Sequence, residues 1–123
     1  MNLILDRIRA DREYGEIQRV LATRQQMARR SPSLVTGLCE GALDAFLAAS
    51  VSDAEDGLPA LIVAQDEKTA ARLCTTLSAF GVRVGYYPER DPVLYNIISS
   101  HELEHERLAV LTGLMQETLD AVV

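Results

Sequence analysis

The chain has 123 residues, 48% of them apolar and 24% charged, enough for one hydrophobic core and too apolar for wholesale disorder. Its formal charge is −6, Trp is absent and aromatics make up 5%, which leaves few groups for phosphate contacts or base stacking. No run of 18 apolar residues offers a membrane span, and charges break up the N-terminal stretch MNLILDRIRADRE where a signal peptide needs unbroken apolar residues. The expectation is a cytoplasmic chain with no membrane contact.

The charge is unevenly spread. Residues 1–30 hold seven arginines and four acids, a balance of +3, and the rest carries −9. Residues 2–13 and 16–29 read as two helices hinged at Tyr14-Gly15, a helical arm over 1–30. Ile17, Val20, Leu21 and Met27 form a stripe on the second helix and Arg19, Arg24, Arg29 and Arg30 its wet side. Ser31-Pro32-Ser33 ends the arm. Docking of the stripe on the body or on another part of the protein is expected, rather than a grip on DNA.

Residues 31–123 read as strand–helix units. Leu34-Val35-Thr36 is a short strand candidate, followed by a glycine-bounded loop, Gly37 to Gly41, and a small-residue helix over 42–49. An acidic surface loop over 52–59 precedes Ala60–Ala64, apolar on both faces as a central parallel strand is. Asp66 is a good N-cap, Leu73, Leu77 and Phe80 recur at helical spacing, and Gly81 sits where a left-handed C-terminal residue belongs. Val82 to Tyr86 alternates like a strand. A Pro-containing loop leads to Ser99-x-x-Glu102, a capping box, a helix through Leu108, Leu111 and Met115, and a last strand at 120–123. Strands alternating with helices predict a three-layer α/β fold with a mostly parallel sheet. Its strands lie near 34–36, 60–64, 82–86 and 120–123, and Leu61, Val63, Leu73, Leu77, Phe80, Val82, Val84, Leu108 and Leu111 are its expected core. A strand at the last four residues predicts an incomplete α/β domain. Cys39 and Cys74, with no C-x-x-C, read as buried free thiols.

Three motifs are candidates for chemistry. Gly37-Leu38-Cys39-Glu40-Gly41-Ala42-Leu43-Asp44 lies between a strand and a helix, as a phosphate loop does. Ala42 falls on its second glycine, Leu43 on its lysine and Asp44 on its Ser/Thr, so the positive charge and the Mg²⁺-binding hydroxyl are missing and Glu40 and Asp44 repel phosphate. Gly37, Gly41, Ala42, Leu43 and Asp44 therefore form a degenerate loop, and no cofactor is expected in this chain. His101-Glu102-Leu103-Glu104-His105 matches H-E-x-x-H. Its polar flanks and the lack of a third ligand at Leu111 favour a charged helix start over a metal site, so His101 and His105 are not expected to bind zinc. Asp66-Glu67-Lys68 with Arg72 lacks the partners of an acidic Mg²⁺ pocket. No catalytic residue is expected.

The stretches LPALIVAQDEKTAARLCTTLSAF, the Tyr-Pro loop and SSHELEHERLAVL follow the degenerate loop in order. Together they resemble the N-terminal region of the bacterial transcription-repair coupling factors (Mfd), which is similar to the first helicase-like domain of the excision-repair protein UvrB. Ser100, Glu102, Leu103, Arg107 and Leu108 stand in positions comparable to that family's Ser-Pro-x-x-Leu-x-x-x-Arg-Leu block. Ser-His replaces the usual Ser-Pro, and Asp91-Pro92 replaces the Glu and Leu-Pro-Tyr of many members. The resemblance implies a RecA-like domain without a working phosphate loop. It implies a non-catalytic interaction or regulatory part, touching other domains of the same parent. ATP and Mg²⁺ belong to that parent's motor, and RNA polymerase, UvrA and double-stranded DNA are the parent's partners. A stand-alone α/β adaptor is the alternative, and a zinc hydrolase on HELEH a third.

Overall fold

The computed structural model describes residues 2–25, 33–54, 57–89 and 99–123. They fall into two compact units, Met1–Asp56 and Gly57–Val123. Unit 1 holds helices α1 (Leu3–Arg9), α2 (Arg12–Gln25) and α3 (Glu40–Ser52). Unit 2 runs β1 (Ala60–Leu61), α4 (Glu67–Ala79), β2 (Val84–Gly85), α5 (Ser99–Met115) and β3 (Ala121–Val122).

In unit 1 the break between the first two helices is not at Tyr14-Gly15. It falls at Ala10-Asp11, and Gly15 lies inside α2. Asp11 decides this, because its Oδ1 accepts from the backbone N–H of Glu13 (2.8 Å) and of Tyr14 (3.3 Å), which caps α2. Asn2 caps α1 in the same way, accepting from Ile4. The Leu34–Thr36 strand is also overturned. Residues 33–39 are irregular and exposed, with Leu34 88% exposed. The described residues of unit 1 contain no strand, so this segment has no ladder to join.

Unit 2 is α/β. Its sheet has the order β1-β3-β2, and both pairings are parallel. The expected strands at 60–64, 82–86 and 120–123 are present as shorter pieces. Ladder bonds extend past their assigned ends, from Ile62 N–H to Val122 O (2.8 Å) and from Tyr87 N–H to Val123 O (2.8 Å). The chain skips one place from β1 to β2 and steps back to β3. A Cβ on Gly85 would meet Val110 of α5 at 3.2 Å and Leu119 at 2.9 Å, so α5 lies over the face of Gly85.

Helix ends are set by local chemistry. Asp66 caps α4, accepting from Thr69 N–H at 2.7 Å. At the other end Gly81 has φ +90°, and two bonds, Val82 N–H to Leu77 O and Gly81 N–H to Ser78 O, close a Schellman turn. α5 ends identically, with Thr118 N–H to Gly113 O and Glu117 N–H to Leu114 O, but the left-handed residue is Glu117 at φ 55°. The capping box of α5 involves side chains outside the described residues.

The core needs correction. Leu73, Leu77 and Val82 are buried as expected, and Phe80 and Val84 are half-buried. Leu61 (77% exposed), Val63 (87%), Leu108 and Leu111 are exposed. β1 is an edge strand. α5 turns Leu103, Arg107, Val110 and Leu114 inward, so the parallel stripe of Leu108, Leu111 and Met115 faces out. Cys39 is likewise exposed rather than buried, Cys74 is half-buried, and both thiols are free.

Leu77 is fully buried, so Leu77→Ala should cost about 2–5 kcal/mol, while Leu61→Ala at the exposed edge should cost under about 0.5 kcal/mol; urea unfolding measures both. Glu117→Gly should stabilise by about 0.5–1 kcal/mol, because glycine adopts the left-handed conformation without a Cβ penalty, and the same unfolding curves read it.

Candidate functional site

Gly37, at φ +85°, turns the chain out of residues 33–36 and toward α3. Cys39 occupies the N-cap of α3 without a side-chain cap bond. The expected glycine turn into a helix is therefore present, without the strand that precedes it in a phosphate loop. Gly41 is exposed and Ala42 half-buried in the first turns of α3. Leu43, at the lysine position, is 39% exposed, and Asp44, at the hydroxyl position, is 4% exposed. The position that would present a cation to phosphate carries an isobutyl group. The one that would reach Mg²⁺ is turned into unit 1.

The same face of α3 carries Ala45, Ala48 and Ala49, all buried. Side chains this small let a neighbouring helix approach closely, and α1 packs there. The join is fastened by a cluster around Asp53, a residue expected in an acidic surface loop. Asp53 follows α3, and Arg9 donates to it through Nε (2.9 and 3.1 Å) and Nη2 (2.6 Å). Tyr14 Oη donates to Asp53 Oδ2 at 2.7 Å. The Tyr14 ring meets Phe46 edge-on at 5.8 Å, and Gln18 Nε2 donates to Ser50 Oγ at 3.2 Å. Burial works to raise the Asp53 carboxyl, but the Arg9 and Tyr14 hydrogen bonds outweigh it and hold the carboxyl below its ordinary value. Tyr14 is pushed up, first by burial and then by its bond to Asp53. No short-range signal in the sequence pairs residues 9, 14 and 53.

The basic arm is thus partly occupied. Arg9 serves Asp53, and Arg12 pairs with Glu16 at 3.1 Å on the outside of α2. The side chains of Arg24, Arg29 and Arg30, and Met27, lie outside the described residues. Beside the cluster, α1, α2, residues 33–38 and the start of α3 enclose a groove of about 1400 Å³. Tyr14 and Phe46 line part of it.

In unit 2, α5 spans both histidine positions of the HELEH run. His105 is exposed, and the side chain of His101 lies outside the described residues. Among the described residues no group of three potential ligands is gathered for a metal. Asp66 serves as the cap of α4, and the Thr69 backbone bond lowers its carboxyl. Arg107, read as part of a family block, holds the loop after β2. It lies 4.2 Å from the Tyr87 ring centroid and donates to Tyr87 Oη (2.7 Å) and Pro88 O (2.9 Å). Arg83 is paired with Asp120 across β2 and β3, and its Nε lies 3.0 Å from both carboxylate oxygens. The Arg83 bonds hold Asp120 below its ordinary value.

Among the described residues no helix is long and apolar enough to cross a membrane. No known protein family, curated protein or solved structure matches the chain.

Asp53→Asn keeps an acceptor for Tyr14 and removes the charge that Arg9 needs. It should cost about 1 kcal/mol at pH 7. The folded carboxyl titrates lower than the unfolded one near about 3.9. The stabilisation is therefore present above that value and lost as pH falls through the folded value. Thermal melting from pH 7 to 3 should show a shallower acid decline in the variant, with the remainder carried by Asp66 and Asp120.

Proposed function

We propose that the chain is the non-catalytic N-terminal interaction and regulatory part of a transcription-repair coupling factor, built on a RecA-like domain resembling the first helicase-like domain of UvrB. One observation carries the non-catalytic half of this reading: a glycine turn opens α3, yet Leu43 brings no charge and Asp44 is buried. A glycine turn into a helix that carries none of a phosphate loop's groups serves as a platform for other domains.

The family half rests on the order of the segments. LPALIVAQDEKTAARLCTTLSAF covers β1 and α4 with its Asp66 cap, and SSHELEHERLAVL covers the start of α5, whose Arg107 grips the Tyr-Pro loop. In this reading the motor with its ATP and Mg²⁺ lies elsewhere in the parent. The parent contacts RNA polymerase, UvrA and double-stranded DNA in the cytoplasm, and this part contacts other domains of the same parent.

Calorimetric titration with ATP and Mg²⁺ should give no saturable heat at millimolar nucleotide; micromolar binding would contradict the reading of Leu43 and Asp44. The cellular test is strand-resolved repair after ultraviolet damage. Removing residues 1–123 from the parent, with its abundance followed by immunoblot, should abolish the faster repair of the transcribed strand. An unchanged strand bias would overturn the assignment.

A further inference from the structure

Among the described residues β1 pairs with β3 on one side and with no strand on the other. Asp120 O accepts from Ala60 N–H (2.9 Å) and Val122 O from Ile62 N–H (2.8 Å). Successive residues of a strand aim their backbone groups to opposite sides. Leu61 and Val63 therefore turn their N–H and C=O groups to the free edge. Their side chains share one face of the sheet and are 77% and 87% exposed.

Proteins blunt such an edge with charge, most often Lys, or with Pro. Residues 57–65 carry no charged side chain. Pro59 is the one blunting residue, and its missing N–H closes the edge just before Leu61. What is left open is an uncharged, apolar length of strand, which is a template for one more strand.

A second β1 fits this template by symmetry. In an antiparallel pair centred on Ile62, each Leu61 stands opposite the partner's Val63. Both are then hydrogen-bonded pairs, so every outward N–H and C=O of the two residues finds a mate. The side chains of Leu61 and Val63 meet those of the partner on the same face, with Cβ atoms about 4.5–5.5 Å apart. Pro59 falls opposite the partner's Gln65, outside these pairs. Sliding the register by two residues toward Pro59 would bring it into a bonded pair and lose a bond, so Pro59 fixes the register. Each copy carries −6, but Asp66, the first charge after the strand, comes opposite the partner's Leu58 rather than an acid.

We propose that β1 pairs antiparallel with β1 of a second copy of this chain, joining the two three-stranded sheets into one continuous sheet across a two-fold axis at Ile62. The contact involves only about five residues from each copy, far short of the roughly 800 Å² per partner of a stable interface, so the dimer is weak and reversible. It draws nothing from the coupling-factor assignment, and either can fail alone.

Sedimentation equilibrium of the whole chain at about 150 mM salt, where charges beyond about 8 Å are screened, should show the mass rising toward that of a dimer between about 10 μM and about 1 mM protein. Leu61→Lys with Val63→Lys, both at exposed positions, should weaken association by about tenfold or more. Leu61→Glu with Val63→Glu should do the same. An equimolar mixture of the two variants should regain the dimer, because each lysine then meets a glutamate across the pair, a gain that misfolding cannot produce. Register is read by cross-linking in a chain with Cys39→Ser and Cys74→Ala. Ile62→Cys should form an intermolecular disulfide under mild oxidation, since directly opposed residues of a non-bonded pair lie about 4.5 Å apart at Cα. Gln65→Cys should not, because the two copies of that residue stand about 20 Å apart. A monomer at every concentration, a dimer unmoved by the lysine changes, no dimer in the mixture, or cross-linking of Gln65→Cys as readily as Ile62→Cys overturns the proposal.

Discussion

Both edge strands of unit 2 hydrogen-bond to β3, two residues long. Ala60 N–H reaches Asp120 O on one side, and Val123 N–H reaches Gly85 O on the other. Ala121, Val122 and Val123 are all buried. A parallel ladder has no hairpin to hold it, so each pairing depends on a helical crossover that returns the chain to the right place. The β2–β3 pairing therefore depends on α5, and the β1–β3 pairing on α4 and α5 both. The Arg83–Asp120 pair adds a fixed join between β2 and the approach to β3, with Arg83 N–H also donating to Asp120 Oδ2 at 2.8 Å.

Unit 1 is held by a different means. It has no ladder among its described residues, and the alanine face of α3 offers little apolar area per residue. Close helix approach compensates in part, because backbones separated only by methyl groups gain dispersion contacts over their whole length. The Arg9–Asp53–Tyr14 cluster then sets the position of α1 on α3 with directional bonds, charge-assisted on the Arg9 side. Joining the helices tightly at this end leaves the groove open beside it, with apolar residues of α1, α2 and the 33–38 segment uncovered.

α5 shows where pattern reading fails. Its apolar residues form two stripes, one through Leu103, Val110 and Leu114 and one through Leu108, Leu111 and Met115. Periodicity alone treats the stripes as equivalent and points to the second as readily as to the first. The sheet selects the first, because Val110 fits against Gly85, where a side chain would collide. The end of α5 carries no glycine signal either, since Glu117 takes the left-handed position usually marked by glycine.

The sequence by itself determined what neighbours in the chain decide. Asp66 and Gly81 bound α4 through bonds spanning at most five residues, and alternating strands and helices led to a parallel sheet. The missing lysine and hydroxyl at Leu43 and Asp44 are also legible without coordinates. Tertiary structure alone decided what partners distant in sequence decide. Leu34–Thr36 has strand propensity but no strand to pair with among the described residues of unit 1. Leu61 and Val63 read as central but lie on an edge, because strand order follows from crossovers. Arg9, Tyr14 and Asp53 meet across up to 44 residues, and a groove walled by α1, α2, residues 33–38 and the start of α3 has no signature in any one of them. Local capping energies act before the chain is folded, whereas burial and long-range pairing exist only after its separate segments have been brought together.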